Sequence, residues 1–417
     1  MKLQPNGARE AAARRERSPR LVLALGIAGF AATAVVVACA ESDDLPHALV
    51  PEPEEPIAVP EAAPPVVDAS VDGDAGCESL DPSLCTPSET RCDEVDWCPA
   101  KDPVDSRRAF TSVWGASQDD VWAVGSSGAV IHFDGTEWKD ASLDTTRTLF
   151  SVHGSGPNDV WIVGTYGTIF HGPGFDAGAP DWQPAPIVPY NGASEKTLSS
   201  VWSPSPDEVW ITGESLRIPG QSKAGTQYRG DLADGGMAWT LVSPCATCSF
   251  MSSVWGTSAR ELWAVGQGGK AFHTTEPPPA DGGDGDPGAA APVWVAVDTR
   301  TQQDLRAVWG IGKDDVWVVG RRGTIRRYRS GAAQAEIVAP PGTTQDLHAV
   351  WGSASDDVWA VGDYGTILHF DGAAWHASTA AFPIGVKPHL YGVWGSSATD
   401  VWVVGEGIVL HFTGAKK

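Results

Sequence analysis

Residues 112–138 read SVWGASQDDVWAVGSSGAVIHFDGTEW, crowding three Trp, three Asp and one His into one short stretch. Taken alone it fits a sugar-binding platform, an acid/base site or scaffolding. Its recurrence decides the fold. Copies begin SVHGSGPNDVWIVGTYGTIFHG at Ser151, SVWSPSPDEVWITG at Ser200 and SVWGTSARELWAVGQGGKAFH at Ser253. AVWGIGKDDVWVVGRRGTIRRY follows at Ala307, AVWGSASDDVWAVGDYGTILHFDGAAW at Ala349 and GVWGSSATDVWVVGEGIVLHF at Gly392. Counted from Val113, the equivalent valines of these seven copies lie 39, 49, 53, 54, 42 and 43 residues apart. Periods of this length with several strands per repeat mark propeller blades.

Each copy parses into four strands. Strand A is the short SVWG, followed by a polar turn whose Ser, Asn and Asp side chains can satisfy their own backbone. Strand B is DVWAVG, whose alternation places Val and Trp on opposite faces. A G-x-x-G segment suits a tight turn needing positive φ, strand C is TILHF, and a D-G turn leads to strand D at the last Trp. The expected fold is therefore all-β, a seven-bladed β-propeller of four-stranded antiparallel blades. The last copy stops at His411-Phe412-Thr413-Gly414 without a fourth strand, whereas DEVDWCPAKD upstream of the first copy carries Trp97 at the usual Trp-to-Val distance. The strand near Trp97 is expected to complete the last blade and close the ring, leaving no open edge there.

Outside the repeats, residues 1–20 are basic and 21–40 are an uncharged apolar run ending Val36-Val37-Ala38-Cys39. This end resembles the lipobox of bacterial lipoproteins, a resemblance that implies lipidation of Cys39 as the mature N-terminus. A plain secretory cut at Ala38-Cys39-Ala40 and an uncut span remain open at this stage. Loss of residues 1–38 removes six basic and two acidic side chains and takes the net charge from −23 to −27. So acidic a chain is not expected to bind nucleic acid. The division expected is 1–38 signal peptide, 39–76 acidic Pro-rich tether, 77–99 Cys-rich segment with the closing strand, and 100–417 propeller. Beyond Cys39 an even number of cysteines remains, as suits an oxidising compartment. Cys77, Cys85, Cys92 and Cys98 are read as two disulfides of unassigned connectivity, and Cys245 with Cys248 in CATC as a local staple rather than a redox pair.

The repeats resemble β-propellers of the BNR/Asp-box kind, including sialidase-like and photosystem II assembly-factor-like propellers. HFDGTEW (132–138) and HFDGAAW (369–375) are similar to an Asp-box turn but lack its leading Ser and carry Gly directly after Asp. The resemblance implies the architecture, while propellers host many unrelated functions.

The chemistry-bearing residues sort themselves by the repeat. All 19 Trp fall at strand positions A, B or D, with Trp97 filling one of the D places, so none is left over as a sugar-stacking residue. The acid opening strand B and the base in strand C are predicted to meet across the hairpin as a structural clip. The pairs are Asp120 with His132, Asp159 with His171, Asp357 with His369 and Asp400 with His411; Glu208, Glu261 and Asp315 face Arg229, His273 and Arg327. A catalytic pair needs one special environment, and this pattern occurs in every copy. No hydrolase, zincin, phosphate-loop or dinucleotide motif is found, and ADGGDGDPG (280–288) fits no calcium loop. No catalytic residue, metal or cofactor is expected.

The B–C tips vary between copies, and variable loops on a rigid frame are where binding resides. Tyr166, Arg321, Arg322, Asp363 and Tyr364 are the ligand-binding candidates. The functional expectation is an exported, lipid-anchored binding or scaffolding module for a protein or polysaccharide partner in the cell envelope. The alternative is a sialidase-like carbohydrate-active hydrolase with its site at the propeller axis.

Overall fold

The computed structural model describes residues 90–414 except 104, 176–180, 188–192, 218–223, 234–235, 243–247, 276–292, 330–331, 333, 339–341 and 386. All of them belong to the compact unit Cys77–Lys417. The signal, the tether, Cys39, Cys77, Cys85, Cys245 and the 280–288 segment lie outside the described residues.

Seven four-stranded antiparallel sheets follow one another along the chain. In blade 1, strand A is Phe110–Ser117, B is Asp120–Gly125, C is Val130–Phe133 and D is Trp138–Asp140. Strand A is thus twice the length expected from SVWG, because the residues flanking that core continue the pairing through two register shifts. The last blade runs Leu390–Ser397, Asp400–Gly405 and Ile408–Phe412, and its fourth strand is Trp97–Pro99, with Trp97 opposite Phe412. The ring closes as the sequence predicts. Trp97 is fully buried and donates to Ser378 Oγ (3.2 Å), so the closing strand is also tied to blade 6.

The A strands of adjoining blades lie side by side and form the inner wall. The Trp of one A strand packs on the Gly of the next. A Cβ on Gly115 would stand 2.6 Å from Trp394 Cη2, on Gly154 2.7 Å from Trp114, and on Gly310 2.7 Å from Trp255. Farther out, the strand D Trp of a blade meets the strand B Trp of the preceding blade edge-on. Trp97 meets Trp359 at 5.0 Å and 88°, Trp138 meets Trp402 at 5.1 Å and 90°, and Trp375 meets Trp317 at 5.5 Å and 86°. Trp182 on Trp122, Trp239 on Trp161 and Trp294 on Trp210 repeat the arrangement. Both sheet faces are therefore buried against neighbouring blades, which is why apolar residues alternate to both sides.

Recurring clips, an inner-wall histidine and the turn face

Strands B and C bring the clip residues together as their hairpin register requires. His132 Nε2 donates to Asp120 Oδ1 (2.7 Å), His171 to Asp159 (2.7 Å), His369 to Asp357 (2.6 Å) and His411 to Asp400 (2.6 Å). The sequence did not reveal a third partner. The imidazole lies on the strand B indole, 4.1 Å and 13° for His171 on Trp161, and 3.7 Å and 4° for His411 on Trp402. Trp122 and Trp161 also donate their Nε1 to the same carboxylates (3.0 and 3.1 Å). Burial pushes the Asp159, Asp357 and Asp400 carboxyls up, but hydrogen bonds from His and from Ser155, Ser353 and Ser396 hold all three below the ordinary value. Arginine fills the role in blades 3 and 5, Arg229 on Glu208 (3.0 Å) and Arg327 on Asp315 in two bonds of 2.6 Å. Blade 4 departs from the pattern: Glu261 accepts from Thr257 Oγ1 (2.7 Å) and pairs with Lys313 (3.4 Å), while His273 Nδ1 donates to the Thr274 carbonyl (3.2 Å).

On the inner wall, His153 stands where six copies have Trp, and in the next blade Ser203 stands where the others have Gly. The two changes fit each other. The smaller ring leaves room for a Cβ, and Ser203 N donates to His153 Nδ1 (3.2 Å). Ser203 Oγ also donates to Asp159 Oδ2 (3.2 Å). Burial pulls His153 down from 6.5 to about 4, against the pull of Asp159. Between those values the unfolded chain binds a proton that the folded chain refuses. Stability from this residue is therefore full above about pH 6.5 and falls as the pH drops toward about 4. The double variant H153W/S203G, which restores the Trp-on-Gly contact, is expected to lose less Tm between about pH 6.5 and about pH 4.5 than wild type. Parallel Tm–pH curves would show that His153 is not the titrating group.

The B–C turns gather on one face. In four of them a non-glycine residue adopts the left-handed conformation: Ser127 (φ 52°), Tyr166 (54°), Arg322 (54°) and Tyr364 (53°). The positive φ anticipated for the G-x-x-G segment therefore falls on side-chain-bearing residues as well as on glycine. Tyr166 and Tyr364 are 62% and 57% exposed. Arg147 fixes the Tyr166 turn by donating to Tyr166 O (3.1 Å) and Thr168 Oγ1 (3.0 Å). Two candidates prove more committed than their sequence positions imply. Arg321 is held between Asp304 (3.5 Å) and Asp346 (3.3 Å), the residues that lead into the A strands of blades 5 and 6. Asp363 Oδ1 accepts from both His348 Nε2 and His389 Nδ1 (2.7 Å each); burial raises its carboxyl, yet these bonds hold it below the ordinary value. Arg321 and Asp363 thus buttress the turns, while Tyr166, Arg322 and Tyr364 are presented by them.

On the opposite face, Asp134 and Asp371 cap their C–D turns, accepting from the backbone N–H groups two and three residues on (2.9–3.0 Å). Gly135 and Gly372 follow at φ 87° and 91°, which explains Gly directly after Asp. Cys98 Sγ lies 3.4 Å from the Cys92 carbonyl, and Cys248 is buried. Among the described residues, no three His, Cys, Asp or Glu side chains are arranged to hold a metal ion, and no helix is long and apolar enough to cross a membrane.

No family model and no curated protein matches the chain. Solved structures do. YCF48 bound to a D1 peptide aligns with a TM-score of 0.56 at 18% identity, covering 79% of this chain and 100% of that one. YCF48 from Cyanidioschyzon merolae aligns at 0.54 and 18% identity, covering 76% and 98%. A catalytically inactive virginiamycin B lyase from Staphylococcus aureus, solved with quinupristin, aligns at 0.56 and 13% identity, covering 76% and 98%. At these identities the likeness is one of fold. The partners of those proteins differ, as the propeller frame allows.

Proposed function

We propose that the chain is an exported, lipid-anchored scaffold that docks a protein partner on the face built by its B–C turns. The observation that carries the reading is the display of Tyr166, Arg322 and Tyr364 from left-handed backbone. That conformation costs a non-glycine residue about 1 kcal/mol or more, and Gly268 fills the same place in blade 4 without the cost. Stability alone would select glycine at all of these tips. Exposed Tyr and Arg on rigid turns are the residue types that anchor protein interfaces. A propeller of this fold solved with a bound peptide supports the reading. On it, Cys39 carries the lipid, residues 39–76 are the tether, and Cys77, Cys85, Cys92 and Cys98 close two disulfides.

The test is cross-linked capture from intact envelopes with the triple variant Y166G/R322G/Y364G. Glycine relieves the left-handed backbone, so Tm should hold or rise while partner recovery falls at least about tenfold, the loss of a few anchor contacts. Equal recovery of every partner would remove this face from consideration. Mass mapping of the same preparation without reduction should show acylated Cys39 and paired cysteines; a chain beginning elsewhere would refute the anchor.

A further inference from the structure

We propose that the cavity at the junction of blades 4 and 5, the one junction whose strand D supplies no Trp, binds a small planar aromatic molecule of indole size. The inference is independent of the docking face. At the other six junctions a strand D Trp fills the space against the strand B Trp of the preceding blade. The register of that Trp is constant: it pairs with the residue after the clip base, as in Phe133 with Trp138, Thr274 with Trp294 and Phe370 with Trp375. In blade 5, Arg327 pairs with Glu336, which sets Ala335 opposite Tyr328. Blade 5 therefore has Ala where every other blade has Trp. Ala335 is 2% exposed and sits in one cluster with Trp263 and Tyr328.

A cavity of about 240 Å³ opens at this junction, with Trp263, His273, Val297, Lys313, Tyr328 and Arg329 in its wall. An engineered apolar cavity of about 150 Å³ takes benzene, so this one has room for a bicyclic ring. Two features mark it as more than a packing fault. Tyr328 occupies the place held by Phe133, Phe370 and Phe412 and adds a hydroxyl. That hydroxyl is buried and has no hydrogen-bond partner among the described residues. An unmet buried hydroxyl is a standing cost, and a ring that enters the cavity and turns the phenol toward itself would relieve it by a hydrogen bond to Oη. The clip is also open here and only here among the blades. With Glu261 turned to Lys313, the His273 ring lies at 26° to Trp263, 5.2 Å away, and both join Tyr328 in an aromatic wall.

The probe is 5-fluoroindole, followed by fluorine NMR with the full chain. Wild type should broaden and shift the signal saturably, and unlabelled indole should reverse the effect. Ala335→Trp, which supplies the missing side chain, should weaken binding at least about tenfold and raise Tm by a few degrees. Tyr328→Phe should weaken it about five- to tenfold, the loss of one hydrogen bond. No saturable effect in wild type up to about 5 mM would overturn the assignment, given that even weak ring binding is visible there. Equal affinity in wild type and Ala335→Trp would overturn it too. Should Ala335→Trp fail to fold, Tyr328→Phe decides alone, and an unchanged affinity overturns the assignment.

Discussion

Gly310→Ala is expected to destabilise the propeller by about 3 kcal/mol, and adding Trp255→His should return at least about 1 kcal/mol of the summed loss. A Cβ at Gly310 would stand 2.7 Å from Trp255 Cη2 and 2.8 Å from the Asp315 carbonyl, closer than side-chain carbons approach. The indole cannot step aside, because the A strands form a closed ring and each Trp is wedged on the following blade. Trp255→His alone should also cost about 2–4 kcal/mol, since it leaves a void on the inner wall. The double variant reproduces in blades 4 and 5 the pairing that His153 and Ser203 make in blades 2 and 3. A thermal or denaturant double-mutant cycle reads the coupling directly. Strict additivity would mean that the Asp315 carbonyl, and not the neighbouring indole, dictates glycine at this place.

That prediction marks where sequence reading ended. The seven copies, their four strands and the closing role of Trp97 were legible because every blade solves the same packing problem with the same residues. The missing fourth strand of the last copy and the spacing from Trp97 to Val113 together located the closing strand. Why Gly follows Trp in VWG was not legible, because the reason is the indole of a different repeat, some forty or more residues away. The clips were visible as pairs, but not the indole beneath each imidazole, which depends on how a strand C ring leans. Glu261 in place of Asp was visible as a letter, whereas its turn toward Lys313 in the next blade was not. Strand D offered six Trp for seven places, and only the register through Arg327 and Glu336 turns that shortfall into Ala335, buried with Trp263 and Tyr328. Arg321 read as a ligand-binding candidate because Asp304 and Asp346, which hold it, come from connections whose course no periodicity fixes.

Arg327→Ala should be the most damaging clip substitution, at about 3–5 kcal/mol, or a fall in Tm of roughly 5–10 °C. Arg327 is 6% exposed and joins two blades at once. It grips Asp315 with two bonds of 2.6 Å, donates to the Ser355 carbonyl of blade 6 (3.1 Å), and stacks 4.5 Å over Trp317 and 5.6 Å from Phe370. Truncation leaves the Asp315 carboxylate partly buried without its guanidinium, and an uncompensated buried charge costs more than the intact pair contributes. The companion Asp315→Ala/Arg327→Ala should therefore be more stable than Arg327→Ala, despite having lost more atoms. His369→Ala sets the scale: its imidazole side chain is 31% exposed and serves one carboxylate, so its loss should cost about 1 kcal/mol. Arg327→Lys separates charge from shape, because an ammonium keeps the charge but cannot make the paired bonds or lie flat on the indole. If Arg327→Lys matched wild type in Tm, charge alone would account for the clip. A fall close to that of Arg327→Ala would assign it to the planar fork between Asp315 and Trp317.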